Sequence, residues 1–247
     1  VLREVYVCFF LLVALHGVVG WVKTDKLNFL ILASVGFLGG TFFHGGMIVG
    51  LIVFGIIVSL SYLKKLFKLL INSRINLKFI IFLGFFLFIA QIFGSNKIYI
   101  PYLGTFDEGT NLEIISTKTS QATAGEASWP KWTVAKSPIE LIYKGPVRSI
   151  YLIFSPFPWD VKKTQHLIGM FDAFLYMYLT ILILLNIKVI WKDPCLRIIL
   201  ILLLSYIFVF GIGVGNFGTG IRHRSKFVVM FILLAAPLLK KIVFKKT

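Results

Sequence analysis

Long apolar stretches, separated by short polar segments, dominate the chain. Residues 5–22 form the first stretch, which ends at the polar turn 23–26. Residues 27–63 are apolar over about two bilayer thicknesses, and His44-Gly45-Gly46 interrupts them near the middle in a way typical of a tight helical hairpin turn. As a helix, ~20 apolar residues cross the ~30 Å hydrocarbon layer with every backbone group hydrogen-bonded internally. The pattern predicts three transmembrane helices in this part of the chain.

Four later apolar stretches predict four more crossings, at residues 79–93, 167–187, 198–214 and 227–239. The chain is therefore predicted to be all-α, a polytopic transmembrane helical bundle of about seven crossings. Three regions follow: a four-crossing N-terminal membrane part at 1–94, an outward loop at 95–166 and a three-crossing C-terminal membrane part at 167–247.

The long loop at residues 95–166 differs in character from the rest of the chain. It holds six of the ten acidic residues and six of the eight prolines. Within it, residues 139–154 are semi-apolar, with Lys144, Pro146 and Arg148 interspersed. This composition predicts an interfacial helix that lies at the lipid surface or dips partway into it.

Composition agrees with a membrane protein and argues against a nucleic-acid partner. Hydrophobic residues make up 58% of the chain, and the mean hydropathy is +0.90, beyond what a water-soluble core absorbs. The formal net charge of +16 resembles that of a nucleic-acid-binding protein. However, 14 of the 26 Lys and Arg residues lie in short segments at 23–26, 64–78, 188–197 and 240–247. Such segments act as cytoplasmic anchors.

The distribution of positive charge also predicts the orientation. With those four segments on the cytoplasmic side, the N-terminus, His44, the long loop and residues 216–226 face outward. A membrane location, with the chain crossing the bilayer many times, is the expected one. The first residue is Val1 and a full-length apolar stretch follows at once, which predicts that the chain is the later part of a longer protein.

Residues 215–226 violate the charge rule, because three cations and a histidine crowd this short outward segment. Its glycines let backbone amides turn toward a ligand. Arginine holds phosphate oxygens with a planar fork, and lysine adds a point charge. The segment predicts a site for an anionic lipid carrier with a phosphate or pyrophosphate head, and the alternative is a lipid-headgroup anchor. The residues expected to bind are Arg222, Arg224 and Lys226.

Three further positions suggest chemistry, and each has a simpler alternative. Arg3, beside Glu4, is either a second cation at the same outer cavity or half of a local ion pair. His44 is either a general base at the hairpin tip or a histidine without a role. Asp172 lies within an apolar crossing, where an ionisable group is a functional hypothesis by default, and its alternative is to pair with an outward arginine.

Motifs for cofactors are missing from the sequence. There is no P-loop, no dinucleotide-binding glycine motif after a strand and no metal-type histidine pair. No cofactor and no metal are therefore expected.

Several outward motifs resemble those of a known family. Leu2-Arg3-Glu4, Phe43-His44-Gly45-Gly46, and Asn216-Phe217-Gly218-Thr219 followed by Arg222-His223-Arg224 are similar to motifs of the bacterial O-antigen and capsule polymerases. Those enzymes are multi-spanning and are usually longer, with more crossings ahead of the Leu-Arg-Glu start. The resemblance implies a chain that corresponds to a C-terminal portion.

The resemblance also implies a function and roles for residues. It implies joining of oligosaccharide units carried on undecaprenyl pyrophosphate, at the outer face of the bacterial cytoplasmic (inner) membrane. Arg222 and Arg224, with Arg3 as a third, become carrier-phosphate ligands, and His44 or His223 becomes the base. Expected partners are the lipid bilayer, a polyprenyl-linked oligosaccharide and other polysaccharide-assembly proteins.

Three alternatives to a polymerase stay open at the level of the sequence. A glycosyltransferase that uses a polyprenyl-phosphate sugar shares the lipid carrier. A transporter or flippase of the lipid-linked sugar shares the phosphate-binding arginines, although neither paired halves nor broken helices are evident in the sequence. A non-catalytic scaffold for a polysaccharide complex needs no phosphate site at all.

Overall fold

The structure is a computed structural model, and it describes residues 2–70, 84, 99–100, 104–105, 127–135, 138–161 and 163–243. The described chain is helical. One short antiparallel pair, β1 (Tyr99–Ile100) with β2 (Gly104–Thr105), is the exception among the described residues.

Three long helices form the N-terminal part: α1 (Leu2–Thr24), α2 (Leu27–Phe43) and α3 (Ile48–Leu70). Helices α1 and α2 pack closely because small residues face each other across the hairpin. A Cβ at Gly17 would lie 2.4 Å from the backbone nitrogen of Ala33, and one at Gly36 would lie 2.4 Å from that of Ala14. No larger side chain fits at these two glycines without separating the helices.

The predicted hairpin turn at His44 is confirmed. Helix α2 ends at Phe43, and His44 adopts an extended backbone whose Nδ1 accepts a hydrogen bond from the Gly46 N–H at 3.3 Å. A 3-10 turn over Gly45–Met47 then leads directly into α3. This turn places the His44 side chain at the same end of the bundle as the start of α1, because Arg3 Nε donates to the carbonyl of Phe43.

Six helices lie in the later part of the chain, counted over its described residues. They are α4 (Pro138–Phe154), α5 (Thr164–Leu185), α6 (Ile187–Lys192), α7 (Pro194–Gly213), α8 (Phe217–Arg224) and α9 (Val228–Val243). Short 3-10 turns lie at Lys131–Thr133, Pro158–Asp160 and Ser225–Phe227. The Asp193 carboxylate caps α7 by accepting from the N–H groups of Cys195 and Leu196 at 2.8 and 3.0 Å.

Four described helices are long and apolar enough to cross a membrane, over Arg3–Thr24, Gly45–Lys65, His166–Leu185 and Pro194–Gly213. Helix α2, with 17 residues, and α9, with 16, are apolar but shorter. The predicted crossing at 79–93 lies outside the described residues apart from residue 84. The helical membrane class is therefore confirmed, while the total of seven crossings stays a prediction.

Helix α4 matches the helix predicted at 139–154, and it packs against the last turns of α7. The Ser149 hydroxyl donates to the Ile207 carbonyl at 3.4 Å, and a Cβ at Gly211 would lie 2.9 Å from the Ser149 backbone. Most other residues of the predicted loop lie outside the described part of the chain.

An aromatic cluster joins α3, α7 and the start of α9. Tyr206 stacks on Phe227 at 5.0 Å between ring centroids, and Phe210 meets Phe227 edge-on at 5.2 Å. The Tyr206 hydroxyl donates to the Met47 carbonyl at 3.1 Å. These buried rings fix the ends of three helices beside His44.

Candidate anion-binding site

Three separate segments meet at one end of the bundle. An Arg222 Nη2 nitrogen lies 2.7 Å from a Glu4 carboxylate oxygen, which joins α8 to the first turn of α1. The rings of His44 and His223 lie 5.1 Å apart and nearly perpendicular. We call the group formed by Arg3, His44, Arg222, His223 and Lys226 the cationic cluster. The predicted outward segments thus share one end, whereas the side of the membrane they face stays a prediction.

Lys226 is the most buried cation of this cluster. It is 1% exposed, and its Nζ lies 3.0 Å from His223 Nδ1 and 5.6 Å from the centre of the Phe210 ring. An ammonium group carries three N–H donors, and one of them has a hydrogen-bond partner among the described residues. Burial, together with the charges of Arg3 and Arg222, lowers the pKa of Lys226 to about 8. The group remains mostly charged at neutral pH.

Both histidines of the cluster are neutral at neutral pH. Burial, with the charge of Lys226 next, lowers the pKa of His44 to about 4 and that of His223 to about 3. Nδ1 of His44 accepts from the Gly46 N–H, and Nδ1 of His223 faces the Lys226 ammonium. These contacts assign the ring proton of each histidine to Nε2. Each ring is therefore a hydrogen-bond donor through Nε2.

Arg224 lies beneath the cluster and is fully buried. Its Nε lies 2.7 Å from Asp172 Oδ2, and its Nη2 lies 2.6 Å from the same oxygen and 3.1 Å from the Gly169 carbonyl. Nη1 donates to the carbonyls of Ile153 and Ser155 at 2.8 and 2.5 Å. A guanidinium has five N–H donors, so these contacts occupy all of them.

The arrangement gives Arg224 and Asp172 a positioning role. Arg224 connects α8 to α5 and to the end of α4. Its guanidinium carbon lies 5.3 Å from the centre of the Tyr176 ring. Asp172 thus pairs with an arginine, as its alternative interpretation anticipated. A phosphate bound by Arg224 would have to displace these internal contacts, whereas Arg222 has a 68% exposed side chain.

The segment around the glycines is a helix and not the open loop expected from the sequence. Asn216 caps α8 by accepting from the Thr219 N–H at 2.8 Å, and the Gly220 N–H donates to the Asn216 carbonyl at 3.0 Å. The Gly220 amide is therefore used inside the helix. Ser225 Oγ donates to the Arg222 carbonyl at 2.9 Å. Ser225 also begins the 3-10 turn that carries Lys226.

Arg148 supports the site from α4, and the sequence analysis assigned it no role. Its Nε donates to the Gly211 carbonyl and its Nη2 to the Ile212 carbonyl, each at 3.1 Å, and Nη2 also donates to the Val214 carbonyl. These carbonyls end α7 and have no partner within that helix. The available signal was a single arginine within a semi-apolar helix, since an ionisable group there needs partners.

Comparison of the chain with known protein families, with curated proteins and with solved structures found no match. Among the described residues, no group of histidine, cysteine, aspartate and glutamate has the arrangement of a metal site.

Proposed function

We propose that the chain is an integral membrane protein of surface-polysaccharide assembly, which binds a polyprenyl-pyrophosphate-linked oligosaccharide at the cationic cluster. The observation that carries the proposal is Lys226, a cation that is 1% exposed and has one hydrogen-bond partner among the described residues. The charge of Glu4 acts on Lys226 without a hydrogen bond between the two among the described residues, and a buried cation that lacks a directly bonded anion is costly. A bound phosphate supplies both the negative charge and the missing acceptors.

The neighbours of Lys226 suit the same ligand. His44 and His223 have neutral rings that carry an N–H donor, and the two rings lie 5.1 Å apart. Arg222 uses one contact to Glu4 and keeps other donors for a phosphate oxygen at the exposed rim. Arg3 adds a further positive charge near Lys226. The cluster thus combines the buried ammonium group of Lys226 with the exposed, planar guanidinium group of Arg222.

The proposed reaction joins two lipid-linked units. The acceptor sugar hydroxyl loses its proton to a neutral imidazole, and its oxygen bonds to the anomeric carbon of the donor sugar. The bond from that carbon to the pyrophosphate oxygen breaks, and Lys226 and Arg222 stabilise the departing anion. His44 is the candidate base through Nδ1, because Nδ1 of His223 faces a cation. The Gly46 N–H that His44 Nδ1 accepts at 3.3 Å is displaced when this nitrogen takes the proton of the sugar hydroxyl.

The test is the chain length of surface polysaccharide in cells that carry Lys226→Met. Loss of the ammonium removes the buried charge that holds the leaving pyrophosphate, so we expect polymer to be replaced by single repeat units. Lys188→Met is the matched control, because Lys188 is an exposed lysine on α6, at the other end of the bundle. It is expected to leave chain length unchanged.

Two results would count against the proposal. Wild-type chain length in the Lys226→Met strain, with the protein present in the membrane, would leave a non-catalytic scaffold. Loss of all surface units, including single repeats, would indicate a flippase. Arg222→Lys separates a fork-type contact from mere charge, since lysine keeps the charge but loses the planar fork.

A further inference from the structure

Four aromatic side chains from three segments contact one another at the same end of the bundle as the cationic cluster. Tyr151 of α4 lies 6.2 Å from Trp132 and 5.2 Å from Phe157 between ring centroids. Phe157 stacks on Trp159 at 4.9 Å, with 6° between the ring planes. We call Trp132, Tyr151, Phe157 and Trp159 the aromatic platform.

The platform is open to its surroundings. Trp159 is 73% exposed and Trp132 is 59% exposed. The parallel rings of Phe157 and Trp159 form a stack whose outer ring is the exposed Trp159. A flat aromatic surface of this kind binds the face of another flat, weakly polar group.

Two polar groups at the edge of the platform have unused hydrogen-bonding capacity among the described residues. Asp160 Oδ2 accepts the Phe157 N–H at 3.1 Å, and no other acceptor contact of this carboxylate exists among the described residues. The Tyr151 hydroxyl likewise has no hydrogen-bond partner in the described part of the chain. Burial and the charge of Asp160 raise the pKa of Tyr151, so its hydroxyl keeps its proton. The edge therefore offers one donor and at least one charged acceptor.

The platform is connected to the cationic cluster through α8. Trp129, which packs on Tyr151 at 5.7 Å, donates its backbone N–H to the Gly215 carbonyl at 2.8 Å, just before α8 begins. The cluster lies at the other end of α8, and an eight-residue helix is about 12 Å long. A short oligosaccharide is long enough to touch both places.

We infer that the aromatic platform binds the sugar rings of an oligosaccharide, with Trp159 and Trp132 against the ring faces and Asp160 and Tyr151 at the ring hydroxyls. A pyranose ring presents an apolar face of C–H bonds and a rim of hydroxyl groups, which matches a flat aromatic surface with polar edges. A lipid-interface anchor needs an apolar body with one polar tip. A carboxylate beside the rings, without an ion-pair partner in the described part of the chain, is unfavourable there. The inference rests on the proposed function, because it gives the lipid-linked oligosaccharide its sugar contact.

The experiment uses the full chain in detergent on an array of bacterial surface oligosaccharides that carry neither lipid nor phosphate. The best-bound sugar is then titrated against variants by tryptophan fluorescence. Trp159→Ala is expected to weaken binding at least about tenfold, as truncation of a central tryptophan does at other interfaces. Trp159→Phe keeps a flat ring and is expected to retain most of the affinity. Trp191→Ala removes a 56% exposed tryptophan from α6 and serves as the control.

Three results would overturn the inference. The first is that the wild type binds no sugar on the array, and the second is that Trp159→Ala binds as tightly as the wild type. The third is that lipids brominated on their acyl chains quench the fluorescence of Trp159. The last result would place the platform in the bilayer. Lys226→Met keeps the platform and is expected to bind the phosphate-free sugar normally. Failure of the pyrophosphate site is therefore separable from failure of the platform.

Discussion

The ammonium nitrogen of Lys226 lies 3.0 Å from Nδ1 of His223, and neither residue has a carboxylate in direct hydrogen-bond contact among the described residues. Glu4, the nearby acid, contacts Arg222 at 2.7 Å. The cluster thus carries more positive charge than its own acidic residue neutralises. The pH dependence of anion binding by the cluster is therefore set by the cation that loses its charge at the lowest pH.

Anion affinity is expected to fall as the pH rises through about 8, the pKa of Lys226. Below that pH the ammonium is charged and holds the ligand, and above it the neutral amine does not. The suitable probe is a dialkyl pyrophosphate, because its own charge stays constant over this range. Isothermal titration in detergent should show affinity that drops by roughly tenfold or more between about pH 7 and about pH 10. Lys226→Met should bind weakly at every pH, and a persistent step near pH 8 in this variant would contradict the assignment.

Acid is expected to destabilise the fold through the two histidines of the cluster. Their pKa values, about 4 for His44 and about 3 for His223, lie below the ordinary value of 6.5. Between these values the unfolded chain binds more protons than the folded chain, so stability falls as the pH decreases from about 6.5 toward 4. His223→Gln should lessen this fall by about 2 kcal/mol. Thermal unfolding at several pH values provides the measurement, and identical slopes in the variant and the wild type would refute the prediction.

Removing Arg224 is expected to destabilise the protein strongly. Arg224→Met leaves Asp172 and several carbonyls without their donor, which costs about 3 kcal/mol or more for a buried pair. Arg222→Met, at a 68% exposed arginine, should change stability by less than about 1 kcal/mol. The free energy of unfolding of each variant, measured in mixed micelles, compares the two substitutions. Should Arg224→Met fail to accumulate, Asp172→Asn provides a milder version of the same test. Equal stabilities of the wild type, Asp172→Asn and Arg222→Met would contradict a positioning role.

Gly36 is expected to tolerate no side chain, in contrast with Gly55. A Cβ at Gly36 would lie 2.4 Å from the Ala14 backbone nitrogen, whereas nothing lies within 4 Å of one at Gly55. Gly36→Ala should reduce stability by about 1 to 3 kcal/mol through overpacking. Gly55→Ala should be neutral or stabilising by up to about 1 kcal/mol, since alanine favours a helix. Similar changes in stability for Gly36→Ala and Gly55→Ala would contradict close packing of α1 against α2 at Gly36.

The outward orientation is testable by cysteine labelling. Gly218 is exposed on α8, and Gly218→Cys in a Cys8→Ala background offers a thiol beside the cluster. A membrane-impermeant maleimide should label this thiol in intact cells. The native Cys195, at the start of α7 and thus at the opposite end of the bundle, should react only after lysis. The reverse pattern would place the cluster in the cytoplasm and end the proposed function.

Much of the helical organisation follows from the sequence because apolar length is a local property. The helix at 5–22, the His44 turn and the helix at 139–154 are all found close to their predicted positions. Tyr151, Trp132 and Phe157 received no role at that level, because their contacts join different segments of the chain, while Trp159 was expected only to anchor the loop near the lipid headgroups.

The candidate site was only partly predictable from the sequence. Arg222, Arg224 and Lys226 are near neighbours in the chain, so their grouping was visible, but their different burial was not. Two residues, about half a turn of helix, separate an arginine with a 68% exposed side chain from one that is 0% exposed. Which of them meets Asp172 depends on how α8 packs on α5 and α4. Arg148 was missed for the same reason, since three of its four carbonyl acceptors lie at the end of α7 or just after it, more than 60 residues away.

Two residues, Asp25 and Lys26, connect α1 to α2. Asp25 has a φ of 54°, and its N–H closes the turn by donating to the Trp21 carbonyl at 2.7 Å. A two-residue link spans at most about 7 Å, far less than the ~30 Å thickness of the hydrocarbon layer. We therefore expect α1 and α2 to enter a bilayer together, as one hairpin. Arg3 and His44 lie at the same end of this hairpin, so joint insertion would bring them to the same side of the bilayer.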